Sequence, residues 1–538
     1  MERVLPKTID YGDVLPLAVE SRSRRRTFFP VNGQEFSSAG ANIIRIDLSA
    51  DALLDTQHSY LRFNVKTTGA ITAGMDYSGG HGFIRRLRIQ QSGTILEDIN
   101  NYNRLMGAVV LPCQSGSEHT LERSASEFVR MPGGSGLTAD GQSQDDTYGG
   151  LTLPDITATP VGTSTAMTSL TNAEIGNAGS DGTGVLKTDI DASINSIVSS
   201  ADGSGVVKDA LDSITNKING LVASVSGTGG LVGAVHNPNT QLQATRDYAI
   251  TIPLNSGLLN CDKLLPLMLM SAPLTIEMEL APTNVPMCLS GAMAGGYTIS
   301  NVRYIANLIE VGGDVAQQLR MVQEAAGGVL TLAGQTYSHF VGNLVAGNEG
   351  DQIINIPARV KSMKSLFFVS QGENGIEQSD RYGCSFGGNC LMNSYQLKVG
   401  SVVYPPTPVR CGFTSAAGLN GQNGAGATKS EPLFELAKAW GNVGSNKGMG
   451  QLSVGTLYAT ERTQPLTGGF YSFSPFGLDL EAFQRVAIES GVNTADRSLP
   501  MSLILNTGAM NSAQGIDAFV LADALFYINS DGSMSVSV

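Results

Sequence analysis

Charged residues are scarce in this chain of 538 residues, because Asp, Glu, Lys and Arg together make up only 15% of it. An ordinary globular protein carries about a quarter. The formal net charge of −13 is acidic, and it argues against a dedicated nucleic-acid binder, since such proteins carry a basic surface. Charged residues are depleted at the cores of protein interfaces. The composition therefore favours a surface that is covered by neighbouring subunits.

Long apolar runs are also missing. The longest, residues 264–274, is too short to span a bilayer, and the N-terminus lacks the apolar core of a signal peptide. We therefore expect a protein that is made and assembled inside a cell. The six cysteines include no CxxC pair, so zinc-ribbon and thioredoxin sites lack their basic spacing. Cys384 and Cys390 are close enough to pair, but we expect reduced thiols.

Sequence patterns of metalloproteases are absent as well. The chain has five histidines but no HExxH, which is the starting point of metalloprotease sites. The glycine-rich stretch 421–430 is close to a phosphate loop, but Thr428 stands where that loop needs a glycine before the lysine. Exposed strand faces explain carboxylate pairs such as Glu277 and Glu279. We predict no catalytic residues, no bound cofactor or metal, and no enzyme activity.

What the chain does contain is a succession of strand patterns. Residues 83–90 and 94–99 predict a hairpin around Ser92-Gly93. Other strands are predicted by alternation or short apolar runs at 44–48, 61–66, 248–254, 274–280, 353–356, 366–369, 395–399, 470–473, 501–505 and 518–528. Helices are predicted at 102–110, where Pro112 would stop the helix, at 258–270, from Ser430 to Trp440, and near 480–488. Pro405 and Pro406 should end a strand pairing.

The alternating segment 297–311 follows a glycine-rich joint and separates two β-rich halves with a similar order of elements. We predict an all-β protein of two tandem β-sandwiches, with domains over residues 41–296 and 297–538. Residues 1–40 are predicted to form an irregular N-terminal arm. This arm contains a basic cluster: Arg22, Arg24, Arg25 and Arg26. It would either touch another component of an assembly, a membrane or nucleic acid, or be a solvated tail.

Residues 132–243 differ from the rest, being rich in small polar residues and almost free of aromatics. They are too long for a plain loop, so we predict one large insertion in the first sandwich. Within it, apolar residues follow the 4, 3, 4, 3, 4 spacing of a coiled-coil seam: Val207, Leu211, Ile214, Ile218, Leu221 and Val225. A lone helix of this length is marginal in water. Its apolar face must therefore pack either on its own domain or against two further copies around a symmetry axis.

Seven segments carry a family resemblance. They are IIRIDLSADALLDTQHSYLRFNV (43–65), GFIRRLRIQQSGTILEDINNYNRL (82–105), ITIPLNSGLL (250–259), LPLMLMSAPLTIEMELA (265–281), YTISNVRYIANLIEV (297–311), YQLKVGSVVYPPTPVR (395–410) and FGLDLEAFQ…SGVNT (476–494). In order and content they resemble the double jelly-roll major capsid proteins of polinton-like viruses and virophages, in the lineage that includes adenovirus hexons. The segments cover both halves but not the insertion. No single motif is diagnostic, whereas the order of all of them is fairly specific.

The resemblance implies two tandem eight-stranded jelly rolls with short helices in the loops. It further implies a homotrimeric capsomer of pseudo-hexagonal outline that tiles the icosahedral capsid of a double-stranded DNA virus. The insertion would form a tower tied together by its heptads, and the arginine arm would face inward towards minor proteins, membrane or genome. The implied partners are further copies of the chain, penton proteins and minor capsid or cement proteins, without sequence-specific nucleic-acid binding. The implied location is the virion, and the implied role is structural.

Two other classes stay open from the residues alone. A trimeric fibre or adhesin built of β-sandwich modules would show the same composition and heptads. A carbohydrate-active β-sandwich enzyme would need a pocket with convergent carboxylates and aromatics, which the single tryptophan of this chain makes less favourable.

Overall fold

A computed structural model describes most of the chain outside the predicted insertion. The described residues are 21–67, 73–114, 123, 126–127, 129, 147–148, 151–152, 247–261, 263–283, 285–289, 296–371, 384–385, 387–388, 390–411, 430–440, 471–472, 475–481, 491–496, 499–510 and 513–538. The six heptad residues, the stretch 421–429 and most of the helix predicted near 480–488 lie outside this set. Among the described helices, none is both long enough and apolar enough to cross a membrane.

The first half forms eight main strands in two antiparallel sheets. The strands are β1 (Ser21–Phe28), β2 (Ile43–Leu48), β3 (Leu53–Thr67), β4 (Ile84–Gln91), β5 (Thr94–Asn100), β6 (Tyr248–Ile252), β7 (Leu274–Leu280) and β8 (Tyr297–Val311). One sheet has the order β1-β8-β3-β6, and the other has the order β2-β7-β4-β5. Most neighbours in each sheet are therefore far apart in sequence, as in the Greek-key connections of a jelly roll.

The second half repeats this arrangement after a connecting helix, α1 (Gly313–Ala325). Its strands are β9 (Val329–Leu344), β10 (Gly350–Asn355), β11 (Met363–Ser370), β12 (Met392–Val399), β13 (Val402–Arg410), β14 (Phe476–Asp479), β15 (Met501–Thr507) and β16 (Gln514–Asn529), and β17 (Met534–Ser537) pairs with β16. The sheet orders are β9-β16-β11-β14 and β10-β15-β12-β13. Counted within its own half, each half thus has the strand orders 1-8-3-6 and 2-7-4-5.

This repeated strand order confirms the predicted double jelly roll. Its local basis is the alternation of side chains along each strand, because successive residues point to opposite faces of a sheet. In β2 every second side chain is buried, so Ile44, Ile46 and Leu48 face the core. The predicted hairpin is also confirmed: Ser92 and Gly93 have φ angles of 48° and 85°, as the tightest strand connections require.

The core of each roll lies between its two sheets and contains a cluster of aromatic rings. In the first roll Phe83 contacts Phe63 and Tyr297, with ring centroids 6.0 and 4.9 Å apart. In the second roll Phe476 stacks on Phe368 at 5.1 Å. Edge-to-face and offset contacts of this kind add about 0.5–1.5 kcal/mol to the free energy gained by burying the rings. The two clusters hold the facing sheets of each roll together.

The irregular arm predicted for residues 1–40 does not extend over residues 21–28. These residues pair with β8 along their whole length, from Ser21 opposite Val311 to Phe28 opposite Tyr304. The strand escaped prediction because it lies at a sheet edge, where only Phe28 is buried and the usual alternation is lost. Charged residues on an edge strand also hinder pairing with other chains. The first jelly roll therefore begins with the arginine cluster, not after it.

The domain boundary predicted at residue 297 also needs correction. The segment Tyr297–Val311 is β8, and it pairs with β1 and β3 of the first half. It is the last strand of the first roll, and the connection between the rolls is helix α1. Because the last strand of a jelly roll lies in the middle of its sheet, a β-rich segment near the centre of the chain is easily mistaken for the start of the next domain.

Three predictions about prolines and helices are wrong. No α-helix forms within the described residues of 258–270, because Leu265–Pro266 pairs with β3 and only Leu267–Leu269 makes a single 3₁₀ turn. The helix at 102–110 continues past Pro112 as Leu111–Gln114, following a π-helical turn over Leu105–Val110. In a regular α-helix a proline clashes with the carbonyl four residues back. In a π-helix the hydrogen bonds join residues that are five apart, which changes that geometry.

Prolines in β13 shift the pairing instead of ending it. Tyr404 lies opposite Leu397 and Val409 lies opposite Tyr395, with a register shift between them. The shift accommodates residues that lack an N–H at the edge of the sheet.

The helix predicted after Ser430 is confirmed as α2 (Ser430–Ala439), with Leu433, Leu436 and Ala437 buried. Ser430 is the first residue of this helix. Helix α1 was not predicted from the sequence.

The remaining elements are short. Paired two- and three-residue strands are Ala73–Met75 with Met287–Leu289, Gly387–Gly388 with Tyr471–Ser472, and Thr147–Tyr148 with Leu151–Thr152. Glu35–Phe36 pairs with β8, and Gly79–Phe83 is a 3₁₀ helix. The helical start Tyr102–Arg104 leads from β5 towards the second half.

Candidate functional site at the junction of the two rolls

The two jelly rolls meet along an extended buried surface, which we call the junction. On β16, Ile516, Ala518 and Val520 face the core of the second roll, and the alternate residues face out of it. The outward residues Asp517 and Phe519 are nevertheless fully buried. They are buried because β5 and the helical segment 102–114 of the first roll lie against this sheet.

The centre of the junction is an ion pair between the rolls. Arg104 of the first roll and Asp517 of the second are both fully buried, with Nε and Oδ2 3.4 Å apart. The guanidinium also donates to the carbonyl oxygens of Cys384 at 2.6 Å and Ser370 at 2.5 Å. A buried charge without such partners would cost several kcal/mol. The single arginine therefore ties three separate parts of the second roll to the first.

Asp517 is surrounded by donors. His339 Nε2 lies 2.8 Å from Oδ1, and Gln371 Nε2 donates to both carboxylate oxygens at 2.9 and 3.0 Å. Burial by itself would raise the pKa of Asp517, but the hydrogen bond from His339 and the charge of Arg104 outweigh burial and lower it. The carboxylate is therefore ionised, which is the state that Arg104 requires.

A second buried carboxylate, Glu97 on β5, bridges the rolls near the centre of β9. Its Oε1 accepts hydrogen bonds from the Gly257 N–H and the Thr336 hydroxyl, both at 2.8 Å. Its Oε2 accepts a longer bond of 3.3 Å from the Leu258 N–H. Thr336 belongs to β9, so this contact crosses the junction. Burial raises the pKa of Glu97, and the hydrogen bonds to Gly257 and Thr336 oppose the shift without cancelling it.

Asp76 makes a similar contact at another part of the junction. It accepts a hydrogen bond from the hydroxyl of Ser385 in the second roll and one of 2.7 Å from the Ser78 N–H. Complete burial raises the pKa of Asp76 in spite of these bonds. Two carboxylates at the junction thus resist ionisation, while Asp517 is held ionised by its arginine.

The backbones of the two rolls also touch directly. A Cβ atom added to Gly334 on β9 would lie 2.4 Å from the Gly257 carbonyl oxygen, and one added to Gly257 would lie 2.6 Å from the Gln335 oxygen. Real Cβ atoms do not come this close to backbone, so only glycine fits at either position. Gln91 completes the contact on the other side, since it donates to Gly532 O at 3.1 Å and accepts from Met534 N at 2.7 Å.

No pattern in the sequence indicated this network. Its members lie up to 443 residues apart in the chain, and each sits in an ordinary strand or loop pattern. Glu97 lies in the strand predicted at 94–99, and Arg104 lies in the helix predicted at 102–110. The local signals that existed were a charged residue on an otherwise apolar helix and isolated glycines in strands, which mark close backbone approach.

The predicted basic cluster is on β1, and its side chains are exposed. Arg24 forms an ion pair of 3.1 Å with Glu310, and Arg26 lies over the ring of Phe28 at 4.9 Å. Arg25 lies over Tyr60 at 5.9 Å. Arg22 lies opposite Glu310 in the strand register. The structure does not bring the cluster together with the junction, and its role as an inner-face contact stays a prediction.

The outer face of the β2-β7-β4-β5 sheet carries a ladder of paired charges. Glu277 accepts from Arg45 at 2.8 Å and from Arg88 at 3.3 Å, and Arg86 pairs with Asp98 at 2.6 Å. Opposite charges that face each other across strands stabilise a sheet by about 0.2–1 kcal/mol per pair. The carboxylates of Glu277 and Asp98 thus have a structural role, as predicted for Glu277 on an exposed strand face.

The cysteines and histidines form no reactive group in the described part of the chain. Cys113, Cys261, Cys384, Cys390 and Cys411 are buried and form no disulfide among the described residues, so Cys384 and Cys390 are not bonded to each other. Burial raises the pKa of the Cys113 and Cys390 thiols to about 12, which suppresses the nucleophilic thiolate. No group of three or more possible metal ligands was found among the described residues.

Comparisons with known proteins find similar folds among solved structures. No protein-family model matches the chain, and no curated protein matches it. A chain of the PBCV-1 virus capsid is similar over 98% of this chain and 99% of its own, with a TM-score of 0.50 and 10% identity. The Faustovirus major capsid protein is similar over 97% and 93%, with a TM-score of 0.49 and 8% identity. The mavirus major capsid protein is similar over 99% and 95%, with a TM-score of 0.43 and 8% identity.

At this level of identity the comparison establishes the fold alone. The likeness to the PBCV-1 capsid chain extends over nearly the full length of both chains. The chain is therefore a double jelly roll of the kind found in that capsid.

The junction predicts a large effect for Asp517→Asn. The substitution leaves Arg104 buried without its counter-charge, and removal of one partner of a buried pair costs about 3–5 kcal/mol. We expect a matching loss in the free energy of unfolding, measured by chemical denaturation. The exposed Glu349 offers a control, since Glu349→Gln removes the same charge from the surface and should change stability by less than about 0.5 kcal/mol. Equal effects of the two variants would contradict a structural role for the ion pair.

Glu97 predicts a pH dependence of stability. Its pKa is raised in the folded state, so its stabilising contribution is complete below the pKa of the unfolded chain and is lost as the pH rises towards the folded value. Relative to wild type, Glu97→Gln should become progressively more stable as the pH rises from 5 upward. Denaturation midpoints of both proteins at pH 5, 6, 7 and 8 measure this difference. A difference that does not change with pH would show that Glu97 ionises equally easily in both states.

Proposed function

We propose that the chain is the major capsid protein of an icosahedral double-stranded DNA virus, and that it acts as a structural, non-catalytic subunit of the virion. The observation that carries the proposal is the repeated eight-strand order, with both rolls locked in one orientation by a buried junction. The full-length likeness to a PBCV-1 capsid chain supports it. A shell subunit needs a rigid shape and surfaces for its neighbours, and it needs no active site.

The proposed assembly unit is a homotrimer. Three chains with two similar rolls each would place six rolls around one axis and give a capsomer of pseudo-hexagonal outline. One feature of the chain supports self-association: charged residues are few for its size, as they are at interface cores. Like units that associate around an axis usually form closed rings. Neighbouring trimers, penton proteins and minor capsid or cement proteins are the further proposed partners.

Mass and shape in solution test the proposal. Light scattering should give a particle of about three times 56.3 kDa, because a closed ring of three subunits satisfies the free surfaces of all three. Negative-stain images of the same sample should show compact hexagonal outlines. Elongated trimers would favour a fibre or adhesin, and a chain that stays monomeric at all concentrations and never forms shells with its partners would contradict the capsid proposal.

The heptads in the insertion are proposed to hold the outer tower of the trimer together. The residues concerned are Val207, Leu211, Ile214, Ile218, Leu221 and Val225. The double variant Ile214→Asp with Ile218→Asp puts two charges into an apolar seam, so it should lower the thermal stability of the trimer and weaken the tower density in averaged images. Replacing Asp209 and Asp212, which lie between the seam positions, by Asn is the matched control and should change neither. An unchanged tower in the double variant would contradict the proposal.

The arginine cluster of β1 is proposed to lie on the inner side of the shell. Arg22, Arg24, Arg25 and Arg26 are exposed, and four positive charges within five residues would attract anionic material such as genome or lipid head groups. This contact is proposed to be weak and independent of base sequence, because the cluster supplies charge without any element that could read base edges.

A further inference from the structure

Several sheet edges of the two rolls are protected against pairing with other chains. An unpaired edge strand presents a row of free N–H and C=O groups that can pair with a second chain. Strand β1 carries exposed arginines along its length. Strand β13 contains three prolines, which lack the N–H group that a pairing strand needs. An edge strand without such protection is therefore a candidate contact site.

Strand β2, at the edge of its sheet in the first roll, is covered by the chain that follows β1. Pro30 forms an antiparallel bridge with Ile46, and the Val31 N–H donates to the carbonyl oxygen of Arg45 at 2.9 Å. The side chain of Asn32 accepts a hydrogen bond of 3.0 Å from the Arg45 N–H. The free edge of β2 is thus closed within the chain.

Strand β10 has the same place in the second roll, and its edge is open. It pairs only with β15 among the described strands. The Ile356 N–H continues this pairing with a bond of 3.0 Å to the carbonyl oxygen of Met501. Because hydrogen-bonded and non-hydrogen-bonded pairs alternate along an antiparallel ladder, the N–H and C=O groups of Asp351, Ile353 and Asn355 point away from β15. None of these backbone groups has a partner among the residues that the structure describes.

The open edge is apolar at its centre. Ile353 is 66% exposed, more than any other large apolar side chain in the described part of the protein. Its neighbour across the strands, Ile504, also lies on the outer face and is half-buried. On the corresponding face of the first roll, β2 instead carries Arg45, which is paired with Glu277. An exposed edge strand with an apolar centre is the kind that associates with another chain.

The open edge is complementary to itself. The three residues with outward backbone groups are spaced evenly about Ile353. In an antiparallel pair of two such strands, with Ile353 opposite Ile353 of the partner subunit, Asp351 lies opposite Asn355 of the partner subunit. Each pair can then exchange both of its N–H···O bonds. The side chains agree with this register, because isoleucine meets isoleucine and each carboxylate meets an amide that can donate to it.

We propose that β10 pairs with β10 of a second copy of this chain across a two-fold axis, so that two four-stranded sheets become one continuous sheet. The contact is isologous, since the same strand contributes from both sides. It is also small, and small interfaces are weak and transient. In the proposed capsid it joins one trimer to the next. The inference therefore rests on the proposed function and identifies a surface through which capsomers meet.

A cysteine at the two-fold position tests the pairing. Opposite residues of a hydrogen-bonded pair have Cα atoms about 5.5 Å apart, which is within the range that a disulfide spans. Mild oxidation of Ile353→Cys should therefore give a covalent dimer of twice 56.3 kDa on a non-reducing gel. The control is Met321→Cys on helix α1, where the side chain is 55% exposed, and it should give no dimer. Absence of the dimer in Ile353→Cys, or equal amounts in both variants, would overturn the pairing.

Charge substitutions give a second test. Ile353→Lys and Ile353→Glu each put like charges opposite one another, so each should raise the dissociation constant between trimers by about tenfold or more. A mixture of the two variants brings opposite charges together and should recover association. Only a contact in which residue 353 meets its own counterpart gives this recovery. Sedimentation velocity measures the association, and thermal melting shows that each variant is folded.

The outcomes separate this inference from the proposed function. Trimers that persist while Ile353→Cys gives no dimer would overturn the strand pairing and leave the capsid proposal standing. A wild-type chain that forms no trimers would contradict the capsid proposal, and a covalent dimer of Ile353→Cys would still support the strand pairing. Shell formation that is lost in Ile353→Lys and not restored by mixing with Ile353→Glu would assign the edge to a strand of a different protein and overturn the second copy as occupant.

Discussion

The buried contact between Arg104 and Asp517 is the constraint on which the rest of the molecule depends. Both charges are removed from water, so each is tolerable only while the other is in place. The arginine belongs to the segment after β5 and the aspartate to β16, and these positions are fixed in space only if both rolls are folded and docked. The ion pair therefore couples the folding of each roll to its orientation against the other, which apolar packing alone specifies less strictly.

That coupling explains why two similar rolls act as one rigid unit. Interfaces between domains of one chain often permit motion, but here hydrogen-bonded carboxylates, a backbone contact at Gly257 and Gly334, and Gln91 act at separate places. Rotation about any one of these contacts would break the others. The proposed role in a closed shell would need this property, because small errors in the angle between the two halves would accumulate around the shell.

The architecture was predictable from sequence to the extent that it rests on side-chain alternation. The strands predicted at 44–48 and 274–280, buried on one face only, were placed correctly, and so was the hairpin at Ser92 and Gly93. β1 was not, because an edge strand with one buried residue shows no alternation. The junction was not predictable at all. Its residues lie in different elements and become neighbours only after both rolls have formed, so no window of sequence contains the information.

The repeated strand order also changes how the surface is understood. Because both rolls have the same sheet order, each face of one roll has a counterpart on the other. The outer side of β16 carries Asp517 and Phe519, which are fully buried, whereas the corresponding side of β8 carries Arg303 and Asn307, which are half-buried. The residues of β16 suit permanent burial within one chain, since Asp517 has its hydrogen-bond partners there. The polar and basic residues of β8 suit a face that keeps contact with water.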